Sequence, residues 1–115
     1  MSKTARENHY SKVAQIGCIL CLHKGIEGTP AQVHHILRDG VERNKCPVIP
    51  LCYEHHQGAT GVHGLRSRGF TRVHGISEET LLSILILLMG ESYNSNYLGW
   101  YGKIYNLNLE RKWKR

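Results

Sequence analysis

The sequence predicts a small α+β single domain stapled by zinc. Three observations point there. A Cys18-Ile19-Leu20-Cys21 pair is answered by Cys52-Tyr53-Glu54-His55, two short strand-like runs surround His34-His35 and Val48–Leu51, and helical patterns lie toward both ends. At 115 residues the chain is one domain by length. A core that small commonly needs a staple. The four cysteines, Cys18, Cys21, Cys46 and Cys52, follow no N-terminal apolar leader. Metal ligation is therefore expected ahead of disulfides, and a cytoplasmic location with it.

Residues 3–16 read as an amphipathic helix, with Tyr10, Val13 and Ile16 at steps of three and Gly17 as its stop. The Cys18 to Cys21 segment reads as a tight zinc-knuckle turn, and the Gly- and Pro-containing residues 22–30 as a loop. Residues 32–36 read as a strand entering the histidine pair. Polar residues 38–47 form a loop. Val48–Leu51 is a second strand, which Pro50 places at an edge. Residues 52–57 open a short helix or turn. Residues 58–75 hold five glycines and three arginines and read as a flexible basic loop, with a short helical piece near Phe70. Ser77 is the N-cap of a helix over 78–89 that stops at Gly90. That helix is apolar nearly all round, which makes it a core helix or a homodimer surface. Its run 81–89 is only nine residues, too short to span a bilayer. The domain is expected over residues 1–90. An extension over 91–115, carrying Tyr93, Tyr97, Trp100, Tyr101, Tyr105 and Trp113, follows it.

Chemistry concentrates in the Cys/His spacing. A C-x2-C pair lets two thiolates reach one ion from a single turn, and Cys52 with His55 repeats the spacing. Cys18, Cys21, Cys52 and His55 are the expected structural zinc ligands, with Cys46 the competitor of His55 for the fourth position. His34, His35, His56 and His63 are then left over for a second cation or a proton. Adjacent strand residues point to opposite faces, so one of His34 and His35 can face a metal while the other reaches a water. If residues 52–57 are helical, His55 closes the zinc site and His56 turns toward the strand of His34. The glycines beside His63 allow close approach. His9, His23 and His74 stand alone and are read as surface or packing residues.

The 15 lysines and arginines exceed the 9 acidic residues, a formal net charge of +6 that suits a polyanion such as nucleic acid. Arg38, Arg43, Lys45, Arg66, Arg68 and Arg72 flank the histidines and are candidates for tracking DNA phosphates.

Taken together, C-x2-C, then Val33-His34-His35-Ile36, then Ile49-Pro50-Leu51-Cys52-Tyr53-Glu54-His55-His56-Gln57-Gly58 resembles the HNH endonucleases of the ββα-metal (His-Me finger) class. More narrowly, the chain resembles the phage-type nucleases of the RecA-dependent, Ref-like family over about residues 10 to 88. The downstream Gly61-Val62-His63-Gly64, Phe70 and His74-Gly75-Ile76 belong to the same likeness. The resemblance implies a ββα-metal core flanked by N- and C-terminal helices. It implies that His35 is the general base, and that His34 and His56, with His63, hold a catalytic Mg2+ or another divalent cation. It implies structural Zn2+ on Cys18, Cys21, Cys52 and His55. The middle asparagine of the pattern has Asn44 as its nearest candidate, which leaves a backbone carbonyl to fix the His35 tautomer. The implied activity is metal-dependent hydrolysis of DNA phosphodiester bonds in recombination, in a host cytoplasm if phage-encoded, with a recombinase filament as candidate partner. The alternative is a zinc-containing DNA-binding accessory protein that does not cleave.

Overall fold

The computed structural model describes residues 2–37 and 39–93. Helix α1 (Lys3–Gln15) begins where the Ser2 side chain accepts the Ala5 amide, which satisfies one orphan N–H of the first turn. It buries His9 and Val13, with Tyr10 and Ile16 packed at the margin of the core. Gly17 ends it at φ +83°, and a Cβ there would come 3.1 Å from the Thr29 carbonyl. The next segment is helix α2 (Ile19–His23) rather than a bare turn, and the Cys18 thiol accepts the Cys21 amide at its start.

Strands β1 (Gln32–His35) and β2 (Val48–Leu51) pair antiparallel, with His34 opposite Ile49 and His35 opposite Val48. Pro50 sits opposite Val33, and a two-stranded ribbon tolerates it because both strands are edges. A 3-10 turn, Arg43–Lys45, interrupts the polar loop between them. Helix α3 (Tyr53–His56) is a single turn that sets His56 beside β1 and His55 beside Cys18 and Cys21.

The expected flexible loop over residues 58–75 is instead helix α4 (Val62–His74), broken at Arg66. Gly58, Gly61 and Gly64 are there for close approach, whereas Gly75 supplies the positive φ that ends the helix. A Cβ at Gly61 would sit 2.5 Å from the Glu54 carbonyl oxygen, and one at Gly64 would sit 2.9 Å from that of Gly58. Helix α5 (Glu78–Met89) matches its expected bounds, with Ser77 capping the Thr80 amide. Leu81, Leu82 and Leu85 join Ile19, Leu20, Ile49, Leu51 and Phe70 in the core. The helix is thus a core element on one side, while Leu87 and Leu88 stay exposed. Tyr93 then fastens the chain back onto β2, its hydroxyl donating to the Val48 carbonyl and accepting from the Val48 amide. No helix among the described residues is long and apolar enough to cross a membrane. The extension beyond Tyr93 and Arg38 lie outside the described residues.

Candidate functional site

Two clusters of metal-ligating atoms meet on the short helix α3. The first is Cys18, Cys21, Cys52 and His55. The His55 Nδ1 lies 3.5, 3.6 and 3.3 Å from the Sγ atoms of Cys18, Cys21 and Cys52, and the Cys21 and Cys52 sulfurs are 3.9 Å apart. Zinc bonds of roughly 2.0–2.3 Å set tetrahedral edges of about 3.5–3.8 Å, so this cluster has the dimensions of a zinc shell. One imidazole nitrogen cannot hydrogen-bond three thiols at once, whereas one ion can bind all four. The cluster can therefore hold zinc. Burial pushes the Cys18 thiol up to about 12, a cost that a bound cation would reverse. Cys46 is buried elsewhere, its thiol facing the Val41 carbonyl, so His55 is the residue brought to the fourth corner.

His74, expected as a surface or packing residue, packs behind this cluster. Its ring lies edge-on to His55 at 5.1 Å and against Phe70 at 4.7 Å. Its Nε2–H donates to the Thr60 carbonyl, which leaves Nδ1 to accept from the Lys24 ammonium. The end of α4 is thereby tied to the zinc-site histidine.

The second cluster is His34, His56 and His63, whose ligand atoms all lie within 4.8 Å of one another. The ring centroids are 5.1 Å apart for His34–His56, 5.9 Å for His34–His63 and 4.7 Å for His56–His63. Three elements supply them: β1, α3 and the first turn of α4. Two of the three rings have an acceptor that selects their tautomer. His34 Nε2 donates to the Glu78 carboxylate at 2.7 Å, which leaves Nδ1 with its lone pair. His56 Nδ1 donates to the Gln32 side-chain carbonyl at 2.8 Å, which leaves Nε2 with its lone pair. Carboxylate and carbonyl acceptors of this kind orient histidines that bind metals. Gln57 donates to the same Gln32 oxygen, and Ser67 donates to the other Glu78 oxygen. Burial, and then the charges of His34, His63 and Arg43, hold His56 down at about 4, so it offers a neutral nitrogen at neutral pH.

His35 stands outside this triad but on the same cleft. The cleft has a volume of about 400 Å3 and is lined by His34, His35, His63, Arg66, Ser67 and Glu78 together with apolar residues. The expected carbonyl partner of His35 is not there. Its Nε2 meets the Tyr10 hydroxyl at 3.2 Å, and its buried Nδ1 has no hydrogen-bond partner among the described residues. Burial, then the charges of Arg43 and His34, lower its pKa to about 4. Of the expected phosphate-tracking residues, Arg66 lines the cleft and Arg43 lies near enough to act on His35 and His56. Lys45 follows in the same turn, and Arg68 and Arg72 are exposed on the second part of α4. Sequence reading missed Glu78, Gln32 and Tyr10 as partners of the histidines, and Ser67 as a partner of Glu78. Each lies between 11 and 44 positions along the chain from the residue it serves, so no spacing rule could have found them.

Residues 3–84 match the family model described as recombination enhancement, RecA-dependent nuclease. No curated protein and no solved structure gives a significant match to the chain.

Proposed function

The chain belongs to the recombination-enhancement, RecA-dependent nuclease family, and from that membership we propose that it is a DNA endonuclease of the HNH type, of phage kind, acting in recombination. The observation that carries this reading is the triad of His34, His56 and His63, two of whose members, His34 and His63, line one cleft with His35. The β1–β2 ribbon followed by α3 and α4 supports a ββα-metal core, and the basic residues around the cleft support a DNA substrate. A recombinase filament on that DNA is the partner the family description suggests.

In this reading Cys18, Cys21, Cys52 and His55 hold structural zinc. A divalent cation on His34, His56 and His63, when bound, supplies charge neutralisation at the phosphate and at the leaving oxygen. An all-imidazole set suits manganese, nickel or zinc better than magnesium, which prefers oxygen ligands. His35 is neutral at neutral pH and so can accept a proton. It takes the proton of a water as the water oxygen forms a bond to phosphorus. The bond from phosphorus to the leaving sugar oxygen breaks, and that oxygen takes a proton from solvent. The arriving phosphate anion eases the imidazolium that forms, offsetting the repulsion of Arg43. Tyr10, in contact with Nε2, holds the ring in place.

The test is plasmid nicking across magnesium, manganese, nickel and zinc, with bound zinc counted in parallel. We expect about one tightly bound zinc per chain, as one four-ligand shell requires, and nicking with at least one added cation. The variant H35A should bind DNA and zinc as the parent does but should not nick. Retained nicking by H35A would remove the general-base assignment. A protein that shifts DNA and never nicks it under any cation would be the non-cleaving accessory protein instead.

A further inference from the structure

Arg66 has a glycine's backbone. Its φ of 63° and ψ of 169° make it the non-glycine residue of positive φ among the described residues, and it breaks α4 into two pieces. That region is essentially reserved for glycine, because a Cβ there crowds the flanking peptide. Glycines stand nearby at 61, 64 and 69, yet an arginine occupies the one position whose conformation demands glycine.

The break itself has a structural use. It lets His63 on the first piece join the triad while Ser67 on the second donates to Glu78. A glycine at 66 would permit the same break without strain, so the break does not explain the side chain. Strain of this kind collects at sites where the backbone is held for a ligand. Arg66 lines the cleft beside His34, His35 and His63 and is exposed, and its guanidinium makes no hydrogen bond or ion pair with any described residue. The acid of that cleft, Glu78, already receives His34 on one oxygen and Ser67 on the other. A guanidinium presents a planar fork of donors that fits phosphate oxygens two at a time.

We infer that Arg66 is a phosphate-contacting residue of this cleft, its guanidinium binding the non-bridging oxygens of the DNA phosphate presented to His35. The left-handed backbone is the device that keeps that guanidinium at the mouth of the histidine cluster. The inference deepens the nuclease reading and rests on it for the identity of the phosphate.

The experiment compares the full chain with R66G, R66K and R66Q, and with K3A as a charge-matched control on α1. Affinity for a short DNA duplex is measured by anisotropy over a range of salt, without an added catalytic cation. Losing one phosphate contact should lower the slope of log affinity against log salt by ~1 in R66G and R66Q and leave it unchanged in K3A. R66K should keep the slope. Relief of the backbone should raise the melting temperature of R66G by ~5 °C or more, while R66Q, which keeps a Cβ, should melt as the parent does. Single-turnover nicking at saturating protein should fall about tenfold or more in R66G and R66Q, the loss expected when a transition-state charge partner is removed. A parent slope and a parent nicking rate in R66G would overturn the assignment to Arg66. If the parent itself does not nick, the nuclease reading fails, and the salt slope still decides whether Arg66 binds phosphate.

Discussion

The carboxylate of Glu78 sits 4 % exposed at the start of a helix, where an acid is ordinarily solvated and serves the helix dipole. Here it holds His34, a residue 44 positions earlier. In E78Q the acceptor is neutral and orients the imidazole less firmly. Divalent-cation affinity at the triad should fall about 10- to 100-fold while tightly bound zinc is unchanged, as read by manganese titration and elemental analysis. His9 shows the same scale acting on stability. Burial, then the charge of Lys12, lowers its pKa from 6.5 to about 4. Below pH 6.5 the unfolded chain takes up a proton that the folded chain refuses until about pH 4. Its contribution to stability is therefore intact above that window and is lost as pH falls through it. Between about pH 7 and about pH 5 this amounts to about 2 kcal/mol. H9F should lose correspondingly less than the parent when both are unfolded by denaturant at the two pH values. Residues of this kind were legible as types but not as partners. The clustered histidines announce themselves by spacing as candidate ligands, whereas Glu78, Gln32 and Tyr10 meet them only when the chain closes.

Among the elements, those governed by local signals matched the sequence closely. Ser77 and Gly90 bracket α5 as a cap and a stop should, and the two short strands fall where their apolar runs lie. Helix α4 was missed because five glycines between 58 and 75 oppose helix by intrinsic propensity. Tertiary packing overrode that propensity, since the start of α4 lies too close to α3 and to the turn after it for side chains at Gly61 and Gly64. Gly61 is the tightest case. A Cβ there would meet the Glu54 carbonyl oxygen at 2.5 Å, the His55 carbonyl carbon at 2.8 Å and that of His56 at 2.9 Å. These are backbone atoms and cannot swing aside. G61A should cost about 2 kcal/mol or more in denaturant unfolding. It should also weaken zinc retention and cation binding together, because the displaced peptides carry a ligand of each cluster.

At the level of the whole molecule, the four-ligand cluster is where a bound zinc would cross-link the fold. It joins the start of α2 to the start and end of α3, on either side of the β1–β2 ribbon. Structural zinc in small domains binds with about 10–16 kcal/mol, against the roughly 5–15 kcal/mol by which ordinary domains are stable at all. Prolonged treatment with a strong zinc chelator, or the variant C21S, should therefore abolish the cooperative thermal transition and much of the helical circular dichroism. A chelated chain that melts as before would show that the apolar core suffices. The fold class was readable from the paired spacings Cys18/Cys21 and Cys52/His55, because metal geometry constrains local sequence. The packing of α4 against His55 through His74 was not, because His74 carries no metal-ligand spacing that ties it to His55.

His55 and His56 are neighbours in the chain, and each belongs to a different cluster. A one-turn helix thus acts as a common hinge pin for folding and for chemistry. Nascent protein would gain no cutting power before it had wrapped its staple, and a molecule stripped of that staple would be disarmed as it came apart. For the nuclease proposed above, this arrangement is a safety catch: the half-made and the half-ruined copy both lack the assembled triad.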